Sequence, residues 1–161
     1  MSGAVIVFVE RVGAEPDRLS LEALALGRSV AAGLGAPLDA ILLGSGAEGA
    51  TVKLGSHGVG LAYVAEDARL DDYAPAAWAA AIRTVVAVRS PAAVIAAGSE
   101  RGNEVLAHVA ARAGVPMAAN VIEVTPGDSW RLVRQRWAGS LLEDAAPAVV
   151  DLLERIGVLG R

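Results

Sequence analysis

The residues best suited to do chemistry lie between 98 and 104, in the run GSERGNE, where Ser99, Arg101 and Asn103 offer a hydroxyl, a guanidinium and a carboxamide within five positions. An apolar run at 92–97 precedes them and an amphipathic run follows, so the segment is expected to join the C-terminal end of a strand to the N-terminus of a helix. Backbone amides at such a junction can receive an anion, and Gly98, Ser99, Arg101, Gly102 and Asn103 form a candidate binding set on that ground. The same residues also read as capping. In that case Ser99 or Asn103 satisfies the first amides of the helix, and Arg101 is solvated or pairs with Glu104.

A second set lies in WRLVRQRW, residues 130–137, where Arg131, Arg134 and Arg136 sit between Trp130 and Trp137. On a strand Arg134 and Arg136 share a face. Arginine and tryptophan are favoured where binding energy concentrates, so Trp130, Arg134, Arg136 and Trp137 are a candidate partner interface. An amphipathic strand with solvated arginines explains the pattern equally well.

Other chemistries lack their residues. The first strand runs into Glu10-Arg11-Val12-Gly13, without the glycines of a dinucleotide loop or a P-loop. Gly44, Gly46 and Gly49 have a phosphate-loop spacing but are followed by a short helix, and they read as turn residues. His57 and His108 have no third ligand at a metal-like spacing, and cysteine is absent, so no metal site is assigned. Ser99 and His108 lie outside any nucleophile-elbow motif, and no catalytic residue is assigned. The pairs Asp71-Asp72 and Glu143-Asp144 read as helix-start charges.

The net charge of −4 and a pI near 5.2, with no basic run, argue against a nucleic-acid partner. The N-terminal apolar run is too short for a signal segment or a membrane span, so a cytoplasmic protein is expected.

The elements that must position these residues follow from hydrophobic periodicity. Strands are expected at 4–9, 38–43, 61–65 and 92–97. The first helix is expected to start at Ser20 as N-cap and to stop at Gly33 and Gly35, and a weak helix is expected across 47–54. A third helix has Pro75 in its first turn and Trp78, Ile82 and Val85 on one face, and a fourth carries Val105, Leu106, Val109 and Ala113 as its core stripe. The pattern then changes to two extended segments joined by a hairpin turn at Pro126-Gly127-Asp128, followed by a final helix over 141–156 that turns Leu142, Val149, Leu152 and Ile156 inward. Alternating strands and helices imply a single α/β domain over 1–161, three-layered and doubly wound around a mostly parallel sheet, with a C-terminal hairpin and helix. Hydrophobic residues make up 54% of the chain, a surplus that points to association with itself or with another chain.

Taken together, these segments resemble the N-terminal domain of the electron transfer flavoprotein alpha subunit. The likeness is carried by VIVFVE, LSLEALALGRSVA, LGSHGVGLAYVAED, DDYAPAAWAAAI, GSERGNEVLAHVAARAGVPMAANVIEV and RQRWAGSLLEDA, in that order, from about Val5 to Asp144. The resemblance implies an adenine-nucleotide-hydrolase-like fold that pairs with a beta subunit. It also implies that FAD is held mainly by a separate C-terminal domain, which passes on electrons from acyl-CoA or similar dehydrogenases. The glycine- and serine-rich FAD motifs of that domain do not follow here, so this chain is expected to bind no cofactor alone, with FAD present in the full assembly. The family more often has Gly-Arg-Asp where this chain has Gly102-Asn103-Glu104, with its arginine shifted to Arg101. A stand-alone adenine-nucleotide-binding protein, using Glu10, Gly98, Ser99 and Arg101 at the strand tips, is the other reading.

Overall fold

A computed structural model describes residues 3–127 and 129–145, together with the backbone of 156–160. The continuous β-branched run of the first strand, β1 (Val5–Phe8), is wholly buried. It is followed by a tiny ribbon of β2 (Arg11–Val12) and β3 (Glu15–Pro16), then by helix α1 (Arg18–Leu34). The chain continues through β4 (Leu38–Leu43), α2 (Ala47–Thr51), β5 (Leu61–Ala65), α3 (Pro75–Arg89), β6 (Ala93–Ala97) and α4 (Glu100–Ala113). Strands β7 (Met117–Thr125), β8 (Arg131–Arg136), β9 (Leu141–Ala145) and β10 (Ile156–Gly160) complete it.

These strands form one sheet in the order β5-β4-β1-β6-β10-β7-β8-β9. All pairings from β5 to β7 are parallel, and β7, β8 and β9 are antiparallel neighbours. From β1 the chain steps outward through β4 to β5, then returns to the other side of β1 at β6. The connections leaving β1 and β6 therefore diverge, and a crevice opens between the carboxyl ends of those two strands.

Alternation along the strands builds two cores. Val5, Val7, Ala40, Leu42 and Ile95 face α1, through Ala23, Leu24 and Val30. Ile6, Phe8, Ile41 and Val94 face α3 and α4, through Trp78, Ile82, Leu106 and Val109. The three-layered α/β architecture expected from the sequence is thus present. Gly27 shows how closely α1 approaches, since a Cβ there would lie 2.7 Å from Val7 Cγ2. This close packing suits a chain whose apolar bulk is in small aliphatic side chains.

Several local expectations need correction. Asp17, not Ser20, caps α1, with Oδ1 accepting the Leu19 amide at 2.9 Å. Ser20 is fully buried, and its hydroxyl oxygen accepts the Glu10 amide instead. Gly33 lies within α1, and only Gly35, at φ 60°, ends it. The weak helix stops at Thr51 and is followed by a 3-10 turn at Leu54–His57, as a glycine-rich stretch would favour.

The final helix is also overturned where it is described. Leu141–Ala145 is strand β9, paired in register with β8, and Ile156 opens strand β10 between β6 and β7. Residues 146–155, with Val149 and Leu152, lie outside the described residues, as does Asp128 of the hairpin turn. Glu143 and Asp144 therefore stand on a strand. Asp71 and Asp72 precede α3 without starting it, because Pro75 is its first residue and Asp71 is engaged elsewhere.

Candidate functional site at the strand ends and the outer hairpin

The crevice at the switch point is built around Glu10, the second residue after β1. Its amide donates to Ser20 Oγ at 2.9 Å, and its carbonyl accepts the Asp17 amide at 2.8 Å, so the start of α1 is fixed to the end of β1. Its carboxylate Oε1 accepts the hydroxyl proton of Ser99 from across the crevice. Ser99 is at once the N-cap of α4, accepting the Gly102 amide at 2.8 Å, while Asn103 Nδ2 donates to the Ser99 carbonyl at 2.9 Å. A carboxylate beside the first turn of a helix is electrostatically favoured there. A Cβ on Gly102 would collide with the Ala97 carbonyl oxygen, so the first turn of α4 sits hard against the end of β6.

Arg101 does not pair with Glu104. Its guanidinium carbon lies 5.0 Å from the centre of the Tyr73 ring, and the Tyr73 hydroxyl donates to Glu104 Oε2 at 2.7 Å. Tyr73 also packs edge-on against Trp78, with ring centres 5.2 Å apart. Burial, with the Glu104 hydrogen bond second, pushes the Tyr73 phenol up to about 12, and the nearby Arg101 charge opposes the shift.

Arg11 is committed as well. Nε, Nη1 and Nη2 donate to the carbonyls of Leu43, Gly13 and Ser45 at 3.2, 2.7 and 2.6 Å. In the glycine turn after β4, the Ser45 amide donates to Asp71 at 2.6 Å and the Gly46 amide to Glu66 at 2.8 Å. The amides of this turn are thus already held by the chain's own carboxylates. What remains open is a cleft of about 140 Å³ lined by Phe8, Glu10, Arg11, Asp71, Trp78 and Arg101, among others. Ligand pockets usually measure about 300–1,000 Å³.

The structure therefore brings Gly98, Ser99, Arg101, Gly102 and Asn103 together at this crevice, with Ser99 and Asn103 engaged in capping. Among the described residues no group of three or more His, Asp or Glu side chains could hold a metal ion. His57 ends a 3-10 turn and His108 lies on α4, far apart in the element order. No helix among the described residues is long and apolar enough to cross a membrane.

The second candidate set is divided by the fold. Trp130 is only 5% exposed and packs in the core with Val121, Val124 and Leu132. A buried indole offers no surface to a partner, so Trp130 drops out of the candidate interface. Arg134 Nε donates to the Ala119 carbonyl of β7 at 2.9 Å, which ties β8 to its neighbour. Arg136 pairs with Glu143 on β9, and this contact holds the Glu143 carboxyl below the usual range. Trp137 is 80% exposed. Beside it stand Leu141 and Leu142, also exposed, around a shallow depression shared with Arg136 and Glu143.

Sequence reasoning missed Arg11, Tyr73 and Leu141, and it turned Leu142 inward on a helix where the structure leaves it 65% exposed on β9. The leucines were legible in principle, since Gly139-Ser140 follows the basic strand at hairpin spacing and Pro147 interrupts the expected helix. Arg11 reaches Leu43 and Ser45, and Tyr73 reaches Glu104, each more than thirty positions away, and no local pattern announces such contacts.

The comparisons agree with this architecture. Residues 5–153 match the family model described as electron transfer flavoprotein domain. The chain is 33% identical over 146 residues to a protein named FixB from Clostridium saccharobutylicum, a match covering 88% of this chain and 43% of that relative. It thus spans less than half the length of the relative it matches. With a family match over nearly its whole length, the chain belongs to the electron transfer flavoprotein domain family.

Proposed function

We propose that this chain is an assembly domain of an electron transfer flavoprotein alpha-like subunit, one that docks on a beta-like subunit and contributes no redox centre of its own. The observation that carries the reading is the small size of the opening left at the crevice. At the position where a doubly wound sheet takes a nucleotide, Glu10 is bonded to Ser99 and Arg11 to three carbonyls, and in the neighbouring turn after β4 the Ser45 and Gly46 amides are bonded to carboxylates. FAD, which the resemblance implies for the full assembly, does not fit a cleft of about 140 Å³. In this reading the flavin sits in an FAD-bearing domain outside this chain, and electrons from acyl-CoA or similar dehydrogenases pass through that domain. The role of the present domain is to hold the assembly together, in the cytoplasm.

Calorimetry with FAD, AMP and ATP tests the reading, together with co-expression of the beta-type subunit from the same genome. The expected result is no heat with any of the three and an equimolar complex with the beta-type chain. Tight stoichiometric FAD binding by the chain alone would overturn it. Binding of AMP or ATP that is lost in Arg101→Ala would replace it with a stand-alone nucleotide-binding protein.

A further inference from the structure

Strand β5 ends the sheet on the side away from the hairpin, and among the described residues β4 is its one strand neighbour. The strands that adjoin residues outside the described set, β10 and β9, stand four and seven places away in the sheet order. The five residues of β5, LAYVA, carry no charge and no proline, and their register along β4 is unbroken. Proteins commonly blunt a free strand edge with lysine, proline or a bulge, and β5 has none of these. Ala62 and Val64 pack on the α1 side and Tyr63 and Ala65 on the α3 side, so both faces of this edge strand are apolar. Leu61, at its start, is 45% exposed.

Helix α3 carries the apolar surface further. Its only charged residues are Arg83 and Arg89, and its exposed positions include Ala77, Ala80, Ala87 and Val88. A helix that is apolar on its outer side as well as its core side is the kind that ends up covered. The guanidinium carbon of Arg89 lies 5.6 Å from the centre of the Tyr63 ring, whose hydroxyl donates to the buried Asp39 at 3.2 Å. The last turn of α3 is thereby fixed beside β5, and Val88, 77% exposed, stands on that turn.

Charge selects the occupant, because the two ends of the β5 edge carry opposite signs. Arg89 stands toward the start of the strand, since α3 ends just before β6 begins and β5 and β6 start at the same end of the parallel sheet. Arg28 is at that end too, its Cδ 3.2 Å from where a Cβ on Gly58 would lie, just ahead of β5. At the other end Glu66 follows Ala65 directly, and the next acid, Asp67, is already paired with Arg69. Among the described residues Arg28, Glu66 and Arg89 belong to no ion pair. An antiparallel copy of the same edge brings the acidic end of each strand to the basic end of the other, twice by symmetry. The uncharged strand between them sets no like charges against each other in that arrangement.

We propose that β5 docks a second copy of this chain, antiparallel and about a two-fold axis, so that two sheets join into one. Leu61 and Val88 of each copy are covered by the other, and Glu66 of each copy faces Arg28 and Arg89 of the other. The proposal goes beyond the assembly reading, which concerns a different chain, and does not depend on it.

Sedimentation equilibrium of the chain alone, over a range of concentrations, tests the proposal. The expected result is a monomer–dimer equilibrium that Leu61→Lys weakens at least about tenfold, as loss of an interface anchor does. Val12→Lys, at a site 72% exposed on the β2–β3 ribbon, leaves it unchanged. Arg89→Glu weakens the dimer by setting carboxylates together, and adding Glu66→Lys to it recovers association, which a merely structural role for either residue would not produce. Hydrogen exchange of the wild-type amides at 61–65 slows as concentration rises, with no variant needed. A chain that stays monomeric throughout, or a dimer indifferent to Leu61→Lys and without protection at 61–65, overturns the proposal and leaves the assembly reading untouched. If a beta-type subunit protects 61–65 and a second copy does not, the occupant is a different chain, and the proposal fails while the assembly reading stands.

Discussion

The carboxylate of Glu10, just after β1, accepts a hydrogen bond from the hydroxyl of Ser99, which also caps helix α4. One serine thereby joins the carboxyl ends of two adjacent central strands, separated by 89 positions in sequence. In nucleotide-binding domains of this architecture an anion from the ligand occupies the neighbourhood of such a helix start. Here the chain's own carboxylate takes up the hydroxyl that such a ligand would use.

Ser99→Ala is expected to lower stability by about 1–3 kcal/mol, combining a lost cap with a carboxylate left without its donor. Ser99→Asp separates the two contributions. Aspartate is a good N-cap, but it sets a second negative charge against Glu10, so it should not rescue the loss until Glu10→Gln is added. Denaturant titration of the two single variants and the double variant checks this. Additive effects would show that the two residues are not coupled.

Gly102→Ala tests the seat of α4. Alanine favours a helix interior by about 1 kcal/mol over glycine, so helix propensity alone predicts a more stable protein. The Ala97 carbonyl oxygen stands where the new methyl would go, and the expected result is instead a loss of about 1–3 kcal/mol. A rise in midpoint on denaturant unfolding would show that β6 and α4 can separate at little cost.

Much of the fold was legible because its signals are local. The apolar runs that became β1, β4 and β6, interrupted only by Asp39 in β4, read as strands covered on both faces, and Pro75 marked the start of α3. The junction at 98–104 was legible for the same reason, since strand, serine cap and amphipathic helix are contiguous. The last strands were not. The leucines, valine and isoleucine of 141–156 repeat at helical spacing, and only pairing with β8 and insertion beside β6 make their ends into β9 and β10. Trp130 and Trp137 look equivalent in sequence, yet the first packs into the core with Val121, Val124 and Leu132 while the second stands exposed on a left-handed turn.

Tyrosine ionisation offers a pH test. The Tyr73 phenol is raised to about 12, chiefly by burial and then by its hydrogen bond to Glu104, and Tyr63 is raised by burial and by Asp39. An acid held protonated in the folded state stabilises the fold fully below its ordinary value near 10, and that contribution is lost as pH rises toward 12. Tyrosinate absorbance of the native protein should therefore lag behind that of the denatured chain, which ionises near 10. Tyr73→Phe should remove the later part of the rise. Two tyrosines ionising near 10 in the native protein would mean that the Tyr73–Glu104 bond does not persist in solution.

The two tryptophans of the hairpin should separate stability from association. Trp130, 5% exposed in the core, is expected to cost about 3–5 kcal/mol on replacement by alanine. Trp137, 80% exposed, should cost no more than about 0.5 kcal/mol, because its ring makes little contact inside the chain. Trp137 is also the indole that an aqueous quencher reaches, so Trp137→Ala should remove most of the quenchable emission while Trp130→Phe removes little. If Trp137→Ala instead unfolds the isolated chain, its ring is part of the fold itself, and its exposure cannot be held in reserve for a partner.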